Sequence, residues 1–393
     1  MHDMKIPFHN TETAFQYKST WELTQAYLLF KGVGSPALVH WGARFLNAFI
    51  HTPIPFDPLL RATLFKQFCG GETAHACSLT VRKLAEYGVG TVLDYSIEGA
   101  QDETVFDATE KELLSNLTLA SQSKSIPFTV FKMTGLVRFT LLEKLHQKTA
   151  LTEAETKEWH RAQERVRRII EKAAELKVRV LVDAEETWIQ DPIDTLVEGF
   201  MKTFNQTQPT VYHTLQMYRS DRLDYLKKLL QKAQRDSFIC AVKLVRGAYM
   251  EKERKRAESK GMPSPILPNK QATDASYDAA LKLLIDSTEN AAIFAGTHNE
   301  QSSQFLVDLM LEKGIDPKDL RFYFSQLLGM SDHLTFNLAQ CGFNTAKYVP
   351  YGPVRELTPY LIRRAQENSA ISGQSLRELE LIEKELKRRK TAK

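Results

Sequence analysis

The chain has 393 residues, 43% hydrophobic and 25% charged, which is enough apolar material for one large domain with extra segments or for two domains. Its 52 basic and 48 acidic side chains leave a formal net charge of only +4, so nothing in the charge balance marks nucleic acid as the partner. No run of about 18 apolar residues gives a membrane-spanning helix, and four cysteines without CxxC or Cys/His spacing exclude both a disulfide scaffold and a zinc site.

The first residues, Met1 to Phe8, lack the long apolar stretch of a signal peptide, and acidic residues come too early for a typical transit peptide. With Cys69, Cys77, Cys240 and Cys341 read as reduced, mostly buried thiols, this predicts a cytoplasmic location. From about Asn10 to Tyr87 the pattern is helical: Leu23, Ala26, Tyr27 and Phe30 recur at three- and four-residue steps, as do Leu60, Leu64 and Phe68. The proline-rich segment Thr52 to Pro58 breaks the region into pieces. Residues 1–88 are expected to form a helical arm.

After Gly88-Val-Gly90 the rhythm changes to short β-branched and aliphatic runs, each followed by a longer helix-patterned stretch. Strands are predicted to begin near Thr91, Phe128, Val178, Thr210, Phe238, Ala292, Arg321 and Ala346. Eight such units over residues 89–369 predict a closed (β/α)8, TIM-like barrel, with a doubly wound open sheet as the alternative. Barrel chemistry sits at the C-terminal strand ends. Those ends carry Asp94, Lys132, Asp183 with Glu185, Gln216 with Tyr218, Lys243 with Arg246, Thr297-His298-Asn299, Gln326 and Tyr348.

In the last barrel helix, Pro359 is expected in the first turn. Tyr360, Arg363, Arg364 and Glu367 then share one face, while Leu357, Leu361 and Ala365 supply the packing surface. A solvated charged face is the plain alternative. Yet two adjacent guanidiniums can grip one carboxylate and a glutamate one turn away can take an ammonium, which suits an amino or imino acid; Lys132 could add a third cation. Residues 370–393 form a basic C-terminal helix or tail: Lys384 to Lys393 hold six bases and one acid. Such a tail is either a solvated, fraying helix or a contact for anionic lipid.

The segment Lys243-Leu-Val-Arg-Gly-Ala-Tyr249 ends a strand with a small-residue turn whose exposed amides can approach a phosphate or a flat ring, and Thr297-His298-Asn299 offers donors suited to a pyrophosphate. Asp183 and Glu185 lie on one strand face, and the acids after Asp183 also read as a helix start. No metal spacing, GxSxG or GxGxxG after a strand occurs, so a bound dinucleotide would not sit in a Rossmann fold.

The segments Val182 to Glu186, Lys243 to Tyr249, Thr297 to Asn299, Gln326-Leu-Leu-Gly-Met330, Tyr348-Val-Pro-Tyr-Gly352 and Tyr360 to Glu367 together resemble the proline dehydrogenases, FAD enzymes with a distorted (β/α)8 barrel, over roughly Gly90 to Ser369. The resemblance implies that Arg363, Arg364 and Lys132 hold the carboxylate of L-proline, Glu367 its amino group, and Tyr348, Tyr360, Tyr249 and Leu327 the ring. It gives Asp183 and Lys243 the catalytic roles, Lys243 near flavin N5 and Asp183 organising the site. Ala184, Gln216, Lys243, Val245, Arg246, Gly247, Ala248, Thr297, His298 and Asn299 would line FAD. The implied reaction is hydride transfer from C5 of proline to flavin N5, giving 1-pyrroline-5-carboxylate, with electrons passed to a quinone. Many bacterial members have arginine where Lys243 stands; the lysine resembles the eukaryotic-like, monofunctional branch, so a separate pyrroline-5-carboxylate dehydrogenase is expected as partner. A quinone acceptor gives the basic tail a use, as a peripheral contact with the inner membrane.

A hydroxyproline dehydrogenase is the near rival; there the residue matching Tyr348 is smaller, so Tyr348 favours proline. A barrel aldolase with a Schiff base on Lys132 or Lys243 is the rival from another class. A non-catalytic binding scaffold would have no reason to keep both sets of motifs.

Overall fold

The computed structural model describes residues 4–35, 39–42, 44, 57–95, 102–370 and 374–391. Most of the proline-rich segment, from Thr52 to Phe56, lies outside the described residues, as do the side chain of Glu367 and residues 392–393 of the tail.

Eight parallel strands close into a barrel in sequence order: β1 Val89–Tyr95, β2 Phe128–Lys132, β3 Arg179–Asp183, β4 Val211–Gln216, β5 Cys240–Val245, β6 Ala291–Gly296, β7 Phe322–Leu327 and β8 Thr345–Tyr351. This is the expected (β/α)8 fold, and the open sheet is excluded. Closure explains the apolar runs: a parallel sheet covered on both faces must bury every residue, and β4 and β8 are buried throughout. β1 begins two residues before the predicted start. Gly88, at φ +72°, makes the turn into it, so Val89 and Gly90 belong to the strand.

Contacts divide the chain into two units, Met1–Lys5 with Glu98–Ser325, and Ile6–Ile97 with Gln326–Lys393. In the first unit, rings from β2, β4, β6 and β7 meet in the barrel interior. Phe128 lies 4.9 Å from both Phe294 and Tyr323 and 5.2 Å from Tyr212, with the Arg179 guanidinium 5.2 Å from its own centroid. Phe128, Arg179, Tyr212 and Tyr323 stand in the first two positions of their strands, with Phe294 fourth in β6, so the cluster fills the N-terminal end of the interior and leaves polar side chains to the other. The long helix Glu153–Leu176 covers this unit and starts at a capping box between Thr152 and Glu155.

In the second unit, helix Thr20–Val33 starts at a capping box between Ser19 and Glu22 and buries Leu23, Ala26 and Phe30, three of the four predicted positions. The next helical stretch, Asp57–Phe68, contains a π-helical turn at Arg61–Phe65. One extra residue per turn moves the apolar face, so Leu60, Phe65 and Phe68 are fully buried while Leu64 is only partly so. These residues share one core with Leu357 and Leu361 of helix Val354–Ala370 and with Leu381 and Ile382 of helix Gln374–Thr391.

Two expectations need correction here. Pro359 is not in the first turn: the helix starts five residues earlier, at Val354, and carries Pro359 inside, at the loss of one backbone hydrogen bond. Over its described residues the tail is not a solvated, fraying segment. It is helical to Thr391, and three of its basic residues are engaged within the fold: Arg389 donates to the carbonyls of Phe15 (2.8 Å) and Lys18 (2.9 Å), Lys384 to that of His9 (3.0 Å), and Arg388 and Arg389 both reach the buried Glu385 (2.8 Å each).

Candidate active site

In the first unit the strand ends build a cationic, amide-rich rim. Lys243, fourth residue of β5, and Asp183, last residue of β3, are nearly buried and form an ion pair at 2.6 Å. Thr214 of β4 lies 3.4 Å from the same carboxylate oxygen. Gln216, at the end of β4, spans two loops: its amide donates to the Glu185 carbonyl (2.8 Å) and accepts from Ala248 N–H (3.1 Å). It therefore ties the turns after β3 and β5 together.

The turn after β5 is shaped by the ring of Tyr218. Met217 and Tyr218 N–H groups donate to the carbonyls of Val245 and Arg246 (2.8 Å each). Gly247 has φ +138°, and a Cβ there would fall 2.5 Å from the Tyr218 ring, so only glycine fits. Gly247 and Ala248 are exposed, with the Ala248 N–H taken by Gln216. Arg246 is already committed: it donates to Asp274 (2.6 Å), Thr297 (2.6 Å) and Ser302 (3.0 Å), over the ring of Tyr277. Asn299 caps helix Glu300–Glu312 through Ser302 N–H (3.0 Å), with His298 half-buried beside it. A helix N-terminus with Thr297 and His298 before it is a favourable place for a phosphate.

Lys132, at the end of β2, and Tyr249, which begins helix Met250–Ser259, are half-buried, as is Ala184. Glu185 is not beside Asp183 but turned to Thr134, whose N–H and hydroxyl it accepts (3.0 and 2.5 Å). Full burial pushes its carboxyl up to about 7 against the pull of Thr134 and of the Lys132 charge. Thr134 and Thr214 carry no pattern by which they could have been predicted.

The second unit holds the remaining predicted residues. Tyr348 stands in the middle of β8, not at its end, and is buried. On helix Val354–Ala370, Leu357, Leu361 and Ala365 are buried as predicted. Tyr360 is buried as well, and Arg363 and Arg364 are half-buried, with the Arg364 guanidinium 5.3 Å from the Tyr360 ring centroid. The stripe is thus not a fully solvated face: a stacked, partly dehydrated guanidinium is stiffened for planar, bidentate recognition. Leu327 is half-buried, and Gln326 accepts from Thr335 (2.7 Å). Asp94 is buried in β1.

Not foreseen is a buried ionic cluster in this unit. Asp332 pairs with Lys347 (2.8 Å) and Lys18 (3.0 Å) and accepts from the Tyr17 hydroxyl (2.7 Å). Burial raises the Asp332 carboxyl, but the two ammonium groups and its hydrogen bonds override this and leave it well below the usual range; burial lowers the Lys347 ammonium. A lysine inside the otherwise apolar run Ala346 to Tyr351, at its second position, was the one visible sign.

Known proteins resemble the chain along most of its length. It is 36% identical over 369 residues to the carbapenem antibiotics biosynthesis protein CarD of Pectobacterium carotovorum subsp. carotovorum, covering 93% of this chain and 96% of that one. It is 31% identical to proline dehydrogenase 1, mitochondrial, of Dictyostelium discoideum (97% of this chain, 74% of that) and 31% identical to the hydroxyproline dehydrogenase of Xenopus laevis (95% and 88%). Among solved structures, proline utilization A (PutA) from Bdellovibrio bacteriovorus, inactivated by N-propargylglycine, superposes with a TM-score of 0.70 at 20% identity over 81% of this chain. The chain spans about a third of that protein's length, 35%. The family model for proline dehydrogenase matches residues 77–377, and with the barrel and strand-end residues described above it follows that the chain belongs to the proline dehydrogenase family.

Proposed function

We propose that the chain oxidises L-proline to 1-pyrroline-5-carboxylate with FAD as cofactor and a quinone as electron acceptor. The observation that carries the substrate reading is the pair of half-buried guanidiniums, Arg363 and Arg364, on a helix whose other face is packed in the core. They would take the carboxylate; the resemblance also assigns Lys132 to it, Tyr348, Tyr360, Tyr249 and Leu327 to the ring, and Glu367 to the amino group.

The rim of the first unit fits a flavin dinucleotide. Its exposed Gly247-Ala248 turn beside the Tyr218 ring, with no side chain larger than a methyl, suits the close approach of a flat ring, and Thr297, His298 and the helix start at Glu300 suit the pyrophosphate. Held by these residues, FAD would supply the two-electron acceptor for a hydride from C5 of proline. The protein's part is orientation and charge: Lys243 presents a cation whose direction is set by Asp183, and Gln216 fixes the turn that carries Ala248. Arg246 acts through Thr297, which it holds in place.

The hydroxyproline reading has relatives of similar identity in its favour, but Tyr348 is a full-sized, buried ring. The ring occupies space that a substrate hydroxyl would need. For a lipid-side acceptor, the exposed Trp21, Leu28, Trp41 and Leu79 are a better contact than the tail, whose Lys384, Arg388 and Arg389 are engaged within the fold. An absorbance spectrum of the purified protein, taken before and after L-proline under nitrogen, tests the reading. Flavin bands that bleach with proline and weakly with 4-hydroxyproline support it; a colourless protein that FAD does not reconstitute refutes it.

A further inference from the structure

We propose that Gln67, Lys347 and Glu378 form a clamp on the loop Leu327–Ser331 after β7, and that they are positioning residues for substrate binding. The proposal rests on the reading above in one respect, that Leu327 touches the pyrrolidine ring. All the groups involved lie in the second unit.

The loop is tight and conformationally demanding. Gly329 has φ +76°, and Ser331, a non-glycine residue, has φ +48°, a left-handed conformation that its surroundings must hold in place. Five backbone groups of the loop are held from outside it. Leu328 N–H donates to the Tyr348 carbonyl (2.9 Å), and Met330 N–H turns back to Leu327 (3.2 Å). Lys347 Nζ donates to the carbonyls of Leu327 (3.3 Å) and Met330 (2.5 Å). Gln67 Nε2 donates to the Gly329 carbonyl (2.8 Å), and the main chain at Gln67 sits so close that a Cβ on Gly329 would fall 2.1 Å from its oxygen. Ser331 N–H donates to the Glu378 carboxylate.

The three clamping groups come from three distant stretches: the helical arm, β8 and the C-terminal helix. Neither the arm nor that helix carries a motif of the family resemblance, yet each sends one buried or half-buried polar group to the same five-residue turn. The charges around the turn also balance: Lys18 and Lys347 against Asp332 and Glu378. A buried ionic cluster is a weak source of stability compared with packed apolar side chains. It does fix directions. Because Lys347 holds the Leu327 carbonyl itself, the position of the Leu327 side chain follows from the cluster, and a loosened loop would blunt discrimination by ring shape before it affected the redox step.

The test uses the flavin-loaded enzyme and the variants Gln67→Met, Glu378→Leu and Glu378→Gln. Gln67→Met and Glu378→Leu each remove one hydrogen bond to the loop and are expected to raise KM for L-proline about fivefold, with kcat changed less than about twofold. Both are also expected to lower the ratio of kcat/KM for L-proline over 4-hydroxy-L-proline. Glu378→Gln keeps an oxygen for Ser331 N–H and should restore KM and the ratio to within about twofold of wild type. If Gln67→Met and Glu378→Leu shift only Tm or flavin content, with KM and the ratio unchanged, the clamp has no positioning role and the proposal is wrong. A wild-type enzyme whose flavin proline does not bleach would instead overturn the functional reading beneath it, so the two failures are distinguishable.

Discussion

Asp183→Asn and Lys243→Met, made singly and together, test the pair at the centre of the first unit's rim. The ammonium and carboxylate are 2.6 Å apart, with side chains only 8% and 13% exposed. Solvent therefore screens them little. Removing one partner leaves the other charge facing a site built for its opposite, and such a change costs about 3 to 5 kcal/mol. Replacing both removes the mismatch, so the double variant should lose about 1 to 2 kcal/mol, well short of the sum. Urea unfolding followed by circular dichroism, read as a double-mutant cycle, should give a coupling of at least about 3 kcal/mol, roughly a hundredfold in the folding equilibrium. The same variants, followed by stopped-flow absorbance, separate stability from chemistry: Lys243→Met should retain flavin but bleach more slowly with proline. Single-variant losses that add to within about 0.5 kcal/mol would refute the buried-pair argument, and an unchanged bleaching rate would remove Lys243 from the flavin.

Two further outcomes follow from the geometry. Arg364→Met should raise KM for proline at least about tenfold, since a charge-assisted hydrogen bond to a buried carboxylate is worth about 1.5 to 3 kcal/mol; wild-type steady-state kinetics would show that the stacked guanidinium does not grip substrate. Glu185, whose carboxyl is pushed up to about 7 in the fold, retains its proton in the interior below that pH and must ionise there above it. The sign is that of a raised pKa: the contribution is present below the ordinary glutamate value and is lost as pH rises through about 7. Glu185→Gln cannot ionise, so its stability relative to wild type should improve by about 3 kcal/mol between pH 4.5 and 8.5, measured by urea unfolding. A pH-independent difference would mean that the carboxyl titrates normally.

The barrel was legible because parallel strands covered on both faces leave a plain mark, short aliphatic runs ending in polar residues; all eight strands overlap the predicted runs, with β1, β6 and β8 starting one or two residues earlier. The packing face of helix Val354–Ala370 was equally legible from Leu357, Leu361 and Ala365. Its start was not, because the rule that places proline in a first turn is a preference, and tertiary packing tolerates Pro359 in the interior. The roles of Lys384, Arg388 and Arg389 were hidden for a different reason. Two of these three reach backbone carbonyls 371 to 375 residues away, and a carbonyl has no residue type to betray it. Likewise the Asp332 cluster draws on Tyr17 and Lys18, more than 300 residues earlier, and only the lysine inside β8 hinted at it. Short-range periodicity records burial well; it does not record which distant segment supplies the covering.

The stitching of residues 9–18 to residues 384–389 bears on how the molecule is made. Thr11 meets Glu385, His9 meets Lys384 and Phe15 meets Arg389, so these bonds close loops of about the whole chain. During vectorial synthesis the arm emerges first and must wait for the helix Gln374–Thr391 to leave the ribosome before its core and the loop Leu327–Ser331 can be completed. A ribosome-bound chain stalled before that helix would expose Phe15, Phe30 and Leu357 without their last partners, Leu381 and Ile382. Such a chain would be a substrate for chaperones and proteases until that helix docks.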